Sequence, residues 1–197
     1  MAVTINGSTG ISTPGMSSTG DVTLAGSGVD VLNNSGRIVL GQSGSVLQVL
    51  QTVKTDTFST TSQTFVDVTG LSVSITPTSS SSKILIQYTT NTCADATSTG
   101  YSMRLVRDST AIFVGDAAGV RPQATVAGSS LNIYDNSAVS GSYLDSPATT
   151  SAVSYKVQMT CTNGTPAIYV NRTIGDRNTV NYDARYASSI IVMEIAQ

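Results

Sequence analysis

Apolar and polar residues alternate with a period of two along most of the chain. In "YSMRLVRD" (101–108), Tyr101, Met103 and Leu105 share one side. Such alternation is typical of a β-strand that is buried on one face. The run "VLQVLQTV" (46–53) also fits helical spacing, but its β-branched content favours a strand. The chain shows no convincing helix.

Runs of this kind predict about nine or ten strands separated by turn residues. They span 46–53, 64–70, 71–75, 83–90, 101–108, 110–116, 123–135, 152–162, 167–172 and 187–197. Asp108-Ser109 and Asn163-Gly164 have the composition of tight hairpin turns. Many short strands without a helix predict an all-β fold. We expect an antiparallel, jelly-roll-like β-sandwich over residues 46–197.

Residues 1–45 follow a different pattern. Short apolar pairs such as Val22/Leu24 alternate with Gly, Ser and Asn turns. Pieces of three to five residues bury too little apolar area to offset an ordering cost of about 1–2 kcal/mol per residue. We therefore expect an extended, intertwined N-terminal arm or shaft that packs on copies of itself or on another protein. A flexible Gly/Ser linker is the alternative.

The last predicted strand, in 187–197, is apolar on both faces. A strand of this kind is covered on both sides, and a two-sheet sandwich covers only one. The second face is expected to meet another subunit, and the interface candidates are Ile190, Val192 and Glu194. A buried Glu194 would need Arg, Lys or a hydrogen-bond network as partner. Alternatively, Glu194 lies in water near the chain end.

Charge and composition exclude some classes of function. Charged residues make up 11% of the chain, and the formal net charge is −2. The basic residues are scattered, whereas a nucleic-acid site needs them clustered. No apolar run approaches the about 20 residues of a membrane span. The N-terminus does not resemble a Sec signal peptide, so we expect folding in a cytoplasm, with neither nucleic acid nor membrane as partner.

Catalytic chemistry is largely missing from the sequence. The chain has no His, which removes the Ser-His-Asp triad, the Cys-His dyad and His-based metal sites. Ser80 and Lys83 form an S-x-x-K match that a Ser-rich run produces by chance. No pair of carboxylates stands out for glycoside hydrolysis. The sequence therefore predicts a protein that is not an enzyme.

No cofactor or metal is expected either. Asp135, Asp176 and Asp183 lie in loop-like stretches, but no spaced calcium loop appears, so we interpret them as solvated turn residues. Cys93 and Cys161 are too few for a structural zinc site. We expect two buried thiols, with a disulfide as the less favoured alternative.

Two polar segments have the composition of recognition loops. Both combine Tyr with Arg, Asn or Asp, and Tyr and Arg are common interface anchors. The segments are 132–147 and 169–188, and an ordinary long hairpin loop or a subunit contact is the alternative for both. The receptor-binding candidates are Tyr134, Asp135, Asn136, Tyr143, Asn171, Arg172, Asp176, Arg177, Asn178, Tyr182 and Arg185.

The run "TSSSSK" (78–83) is predicted to be a solvated connection between two strands. Pro77 ends the preceding strand, because it has no N–H for the ladder.

Several phrases of the sequence resemble the C-terminal module of fibre proteins from tailed bacteriophages, particularly marine and cyanobacterial phages. The phrases are "GSVLQVLQTVKTDTFSTTSQTFVDVTGLSVSITPTSSSSKILI", "LVRDSTAIFVGDAAG", "YLDSPATTSAVSYKVQM" and "IIVMEI". "MAVTINGSTGI" resembles the opening of such structural proteins. The resemblance covers nearly all of 44–197 and, more loosely, 1–12. It contains no catalytic motif.

This resemblance implies a virion component, a homotrimeric fibre or appendage assembled in the host cytoplasm. Residues 1–45 would attach it to a tail hub, an adaptor or the capsid. Residues 46–197 would present loops to a host-surface glycan or protein. One alternative is a capsid head fibre or a tail adaptor without receptor binding. Another is a carbohydrate-binding or depolymerase module, against which the missing His and Trp weigh.

Overall fold

A computed structural model describes residues 43–94, 99–129, 134–165 and 167–197. The chain divides into two units, Met1–Leu40 and Gly41–Gln197. The first unit lies outside the described residues, so the N-terminal arm or shaft stays a prediction.

The described part contains eleven strands and no helix. They are β1 (Val46–Lys54), β2 (Phe58–Thr60), β3 (Val66–Ile75), β4 (Lys83–Cys93), β5 (Gly100–Arg107), β6 (Thr110–Ile112), β7 (Val126–Ser129), β8 (Ser137–Asp145), β9 (Val153–Cys161), β10 (Ile168–Val170) and β11 (Ser188–Ile195). Over the residues described, no helix is long and apolar enough to cross a membrane.

The strands form two antiparallel sheets. The six-stranded sheet has the order β1-β11-β4-β10-β2, and β8 also pairs with β4. The five-stranded sheet has the order β3-β9-β5-β6, and β7 also pairs with β5. The inner faces meet in one apolar core that includes Ile86, Met103, Val157 and Val192. The predicted all-β sandwich is therefore confirmed, while jelly-roll connectivity stays a prediction.

The two predicted strands at 64–70 and 71–75 are one strand, β3, with a bulge. Gly70 has a φ of 81°, in the left-handed region that glycine tolerates. The pairing register with β9 shifts between Asp67 and Ser72. Val68 and Leu71 consequently both point into the core although they are three positions apart.

The two predicted hairpins have different outcomes. Asp108 and Ser109 form a tight turn between β5 and β6, as predicted, and Asp108 has a φ of 53°. The hairpin predicted at Asn163-Gly164 is wrong, because β9 and β10 belong to different sheets. Residues 162–165 carry the chain from one sheet to the other, and composition alone does not distinguish such a crossing from a hairpin.

The segment 132–147 is not the long loop that its composition suggested. Ser137–Asp145 forms β8, which pairs with β4 from Thr92↔Ser137 to Ile84↔Asp145. Its core-facing positions include the small Gly141, so its apolar alternation is weak in sequence. The backbone pairing with β4 makes this polar segment a strand.

The predicted subunit interface on the last strand is also corrected. Ile190 and Val192 have no exposed surface and belong to the core of this chain. Glu194 is buried on the same face of β11. These side chains are therefore not available to another subunit. Both faces of the strand are apolar, so the pattern did not indicate which one faces inward.

The buried Glu194 is held by a hydrogen-bond network, which was one of its two sequence-based alternatives. Gln48 Nε2 donates to it at 2.6 Å, and the backbone N and Oγ1 of Thr78 each donate at 2.7 Å. Burial acts to raise its pKa, but these bonds and one from Ser82 outweigh burial and lower the pKa to about 2.

The connection between β3 and β4 is therefore only partly solvated. Ser79 and Ser81 hydrogen-bond to each other at its surface, whereas Ser82 is buried. Thr78 anchors the connection to the end of β11. β3 does end before Pro77, as predicted. Cys93 and Cys161 are both buried as thiols.

Candidate recognition site

The polar loop 171–187 leaves and re-enters the six-stranded sheet at nearly the same place. It joins β10 to β11, and both strands pair with β4. Ser188 Oγ donates to Asn171 Oδ1 at 2.6 Å, which closes the base of the loop. A loop whose ends are close together is a frequent carrier of function.

Asn171 is the anchor of this loop. Its φ of 63° lies in the left-handed region, which Asn adopts more readily than most residues. Its Nδ2 donates to the carbonyl oxygens of Lys54 at 2.9 Å and Asp56 at 3.0 Å. It has no exposed surface. The prediction that Asn171 contacts a receptor is therefore wrong, and its role is structural.

Asn91 on β4 ties two polar segments to the same sheet end. Its Nδ2 donates to the carbonyl of Ala187 at 2.7 Å. Its Oδ1 accepts a hydrogen bond of 3.0 Å from Asn136 Nδ2. Residues 134–136, which precede β8, therefore lie beside loop 171–187. The composition of the two segments did not predict that they would be neighbours.

Two exposed tyrosines and an arginine meet at this junction. The rings of Tyr134 and Tyr182 are 5.5 Å apart and tilted by 36°. The guanidinium carbon of Arg177 lies 4.6 Å from the centre of the Tyr134 ring and 5.4 Å from that of Tyr182. Tyr134 is 41% exposed and Tyr182 is 61% exposed. We call Tyr134, Arg177 and Tyr182 the aromatic cluster.

Asp183 fixes Arg177 in the aromatic cluster. Its carboxylate accepts a hydrogen bond of 2.6 Å from Arg177 Nε and a short one from the buried Thr173 hydroxyl. The bond from Thr173, with a further contribution from Arg177, holds the pKa of Asp183 below its ordinary value against the opposing effect of burial. The carboxylate is thus charged at neutral pH and orients the guanidinium.

A second set of ion pairs stabilises the middle of the loop. Asp176 accepts hydrogen bonds from Arg172 at 2.9 Å and from Arg185 at 3.0 Å. Arg172 also lies 4.2 Å from the centre of the Tyr169 ring. Together these contacts stabilise the conformation of a loop without regular strands. An isolated antiparallel bridge between Arg172 and Arg185 is its one element of β-pairing among the described residues.

The remaining candidates lie in different environments. Asn178 is exposed and follows Arg177 in sequence. Asp135 follows Tyr134 and is half-buried. Tyr143 lies on β8, half-buried, with its ring stacked 5.1 Å from that of Phe113. Tyr143 is a packing residue of the sandwich, so its assignment to a receptor-binding loop is corrected.

Asp183, Thr173 and Asn91 position the site but were not predicted to do so. Asp183 was interpreted as a solvated turn residue, although its side chain is only 2% exposed. A Thr and an Asp ten residues apart in a polar loop carry no sequence signal. Only the folded loop brings them into contact.

The aromatic cluster and the loop beside it combine exposed apolar faces with polar groups. Exposed Tyr rings provide apolar faces with polar tips, and the neighbouring guanidiniums provide directional donors. Asp176 and Asp183 offset the charges of nearby arginines, so the surface is polar without a strong net charge. Across the described ranges, no group of three or more His, Cys, Asp or Glu is placed to hold a metal ion.

Comparison with protein-family models and with curated proteins finds no match to this chain.

Proposed function

We propose that this chain is a structural protein of a bacteriophage virion, a trimeric tail fibre or appendage that attaches to the host surface. The observation that carries the attachment role is the aromatic cluster of Tyr134, Arg177 and Tyr182, exposed where loop 171–187 meets the segment that precedes β8. The assignment to a phage rests on the sequence resemblance alone.

The anchoring of the loop supports recognition. Binding residues work best when the scaffold holds them in place before the ligand arrives. Here the base of the loop is closed by Asn171 and Ser188, and its middle by Arg177 and Asp183. A preorganised Tyr-Arg surface loses little conformational entropy on binding.

The ligand that this surface fits best is a host-surface glycan. A sugar ring can lie on an exposed Tyr face, while Arg and Asn side chains hydrogen-bond its hydroxyl groups. A single shallow site of this kind binds weakly. In our proposal, three copies on each appendage raise the apparent affinity, since multivalency can increase it by a factor of about 10²–10⁴ over that of a single site.

The test is binding of the full-length chain to arrayed bacterial surface glycans and to a panel of bacterial cells. Tyr182→Ala is expected to lower binding at least about tenfold, as loss of an interface anchor does. The matched control is Val180→Ala in the same loop, a fully exposed residue outside the cluster. Equal binding by both variants would remove the cluster from the proposal.

Three other outcomes would change the proposal. Binding to cells but not to glycans would indicate a protein receptor. Silence on both would favour an adaptor or head fibre that contacts only other virion proteins. Release of reducing ends from bacterial surface polysaccharide by the purified chain would indicate a depolymerase.

A further inference from the structure

The outer face of the six-stranded sheet carries an apolar row across four strands. The pairing register aligns Val49 of β1 with Met193 of β11, Met193 with Leu85 of β4, and Leu85 with Leu144 of β8. Val49 is 55% exposed and Leu144 is 47% exposed, while Met193 and Leu85 are half-buried. We call these four residues the apolar row.

The surface beside the apolar row is uncharged and mostly polar. The next aligned row contains Gln51, Ile191, Gln87 and Ser142. A groove of about 510 Å³ lies along it, with Ser140, Ser189 and Thr89 in its lining. Among the described outward positions of these four strands, Lys83 is the only charged side chain.

The outer face of the other sheet is different in kind. Lys156 Nζ donates to Asp67 at 2.8 Å, and Gln158 Nε2 donates to the same carboxylate at 2.6 Å. Arg104 Nε donates to Gln158 at 2.9 Å. The outer face of that sheet therefore carries ion pairs and hydrogen-bonded amides, which suit contact with water. Exposed apolar side chains in a continuous row instead indicate a contact surface.

The strand at the margin of this face is an edge strand of the described sheet. Among the residues that the structure describes, β1 pairs only with β11, and it is nine residues long. It exposes Val46, Leu47 and Val53 in addition to Val49. Proteins that remain monomeric normally protect a long edge strand with charges, prolines or bulges. Here the only charged residue of β1, Lys54, is buried.

From these observations we infer that the outer face of the β1-β11-β4-β8 sheet binds a second copy of this chain. Near the symmetry axis of a homo-oligomer, including a trimer, identical or nearby side chains of the copies lie next to each other, so a charged surface there would repel its own copies. A row of Val, Met and Leu beside Gln and Ser avoids this, because amides and hydroxyls both donate and accept hydrogen bonds. The surface is thus complementary to itself.

The position of the N-terminal segment agrees with a self-contact. The described chain begins at Ser43, three residues before β1. Association through this face brings the β1 strands of the copies together. The residues that precede β1 in each copy are then brought together as well. This inference rests on the oligomeric part of the proposed function and assigns it a surface.

The test is sedimentation velocity of the full-length chain over a range of concentrations. The variant Val49→Asp/Leu144→Asp places charge in the apolar row and is expected to raise the dissociation constant at least about 100-fold. The matched control, Val120→Asp/Val180→Asp, adds the same charge at two fully exposed loop positions and should leave association unchanged. Circular dichroism and thermal unfolding check that both variants are folded.

A second variant guards against misfolding of the first. Gln87→Arg removes no apolar contact but places a like charge in the self-contact, so it is expected to weaken association while the fold is retained. Association that is unchanged in both variants would overturn the inference and leave host attachment standing. A wild-type monomer would also overturn it and point to another protein as the occupant. Self-association without binding to glycans or cells would instead count against the attachment role.

Discussion

Asp145 accepts a hydrogen bond of 2.7 Å from the phenol of Tyr155 in the interior between the two sheets. Asp145 lies on β8 of one sheet, and Tyr155 lies on β9 of the other. Arg107 Nη1 donates to both oxygens of the same carboxylate at 3.0 and 2.9 Å. The buried carboxylate therefore joins the two sheets at a point where apolar packing alone would leave it without partners.

Replacing Tyr155 by Phe is expected to lower the free energy of unfolding by about 2 kcal/mol. The substitution removes a hydrogen bond to a buried charge without changing the ring. Burial and the neighbouring Asp145 raise the pKa of Tyr155, so the phenol is a donor at every pH of interest. Urea unfolding monitored by circular dichroism measures the difference.

The matched control is Tyr143→Phe, which also removes one hydroxyl but at a half-buried position. It should change stability by less than about 0.5 kcal/mol, as peripheral substitutions usually do. A similar loss of stability in both variants would mean that the hydrogen bond to Asp145 contributes no more than the removal of any tyrosine hydroxyl.

Glu194 makes stability depend on pH in the acidic range. Its pKa falls from an ordinary value of 4.5 to about 2 in the folded chain. A lowered folded-state pKa contributes stability that is complete above the unfolded-state value and is lost as pH falls towards the folded-state value. We expect a loss on the order of 2 kcal/mol from this group between pH 5 and pH 2, allowing for solvent near the site.

The measurement compares the unfolding free energies of wild type and Glu194→Gln across this pH range. Wild type should be more stable at pH 7, and the difference should shrink as the pH falls from about 5 towards 2. Thr78→Val, which removes one donor to the carboxylate, should reduce the same difference in part. A difference that is constant with pH would contradict the network.

Gly141 provides the space that the Tyr88 ring occupies across β4 and β8. A Cβ added at Gly141 would lie 2.7 Å from ring atoms of Tyr88. Gly141→Ala is therefore expected to cost roughly 1–3 kcal/mol through overpacking. Gly115→Ala is the control, because the nearest atom to its added Cβ is 3.9 Å away.

A smaller residue at position 88 tests the cause. In the double variant Tyr88→Leu/Gly141→Ala, the two losses should be less than additive, since the clash is no longer present. Strict additivity in thermal or urea unfolding would show that Gly141 matters for another reason.

Asn171 should control the order of loop 171–187. Asn171→Gly keeps the left-handed backbone available but removes the side-chain bonds to Lys54, Asp56 and Ser188. We expect amides of residues 172–187 to exchange with deuterium at least about tenfold faster, corresponding to about 1.4 kcal/mol. Hydrogen–deuterium exchange with mass spectrometry measures this.

Asn178→Gly is the control for this prediction, because Asn178 is an exposed residue of the same loop. It should leave exchange in the rest of the loop unchanged. If Asn171→Gly behaves the same way, the loop is held by its ion pairs rather than by its base.

The sequence by itself determined the all-β class and the approximate position of most strands, because the period-two alternation records which residues a sheet buries. It also located the turn at Asp108, whose composition suits a left-handed backbone. These features depend on neighbours in sequence, so local pattern is sufficient to find them.

Tertiary structure decided what depends on distant partners. β8 became a strand because β4 supplied its hydrogen bonds, and Ile190 and Val192 faced inward because the second sheet lay on that side. Asn171 anchors the loop instead of contacting a ligand, because its side chain bonds the carbonyls of Lys54 and Asp56, more than a hundred residues away in sequence. The Tyr134 and Tyr182 rings likewise meet only in the fold, since burial and contact are properties of the packed chain and not of its local pattern.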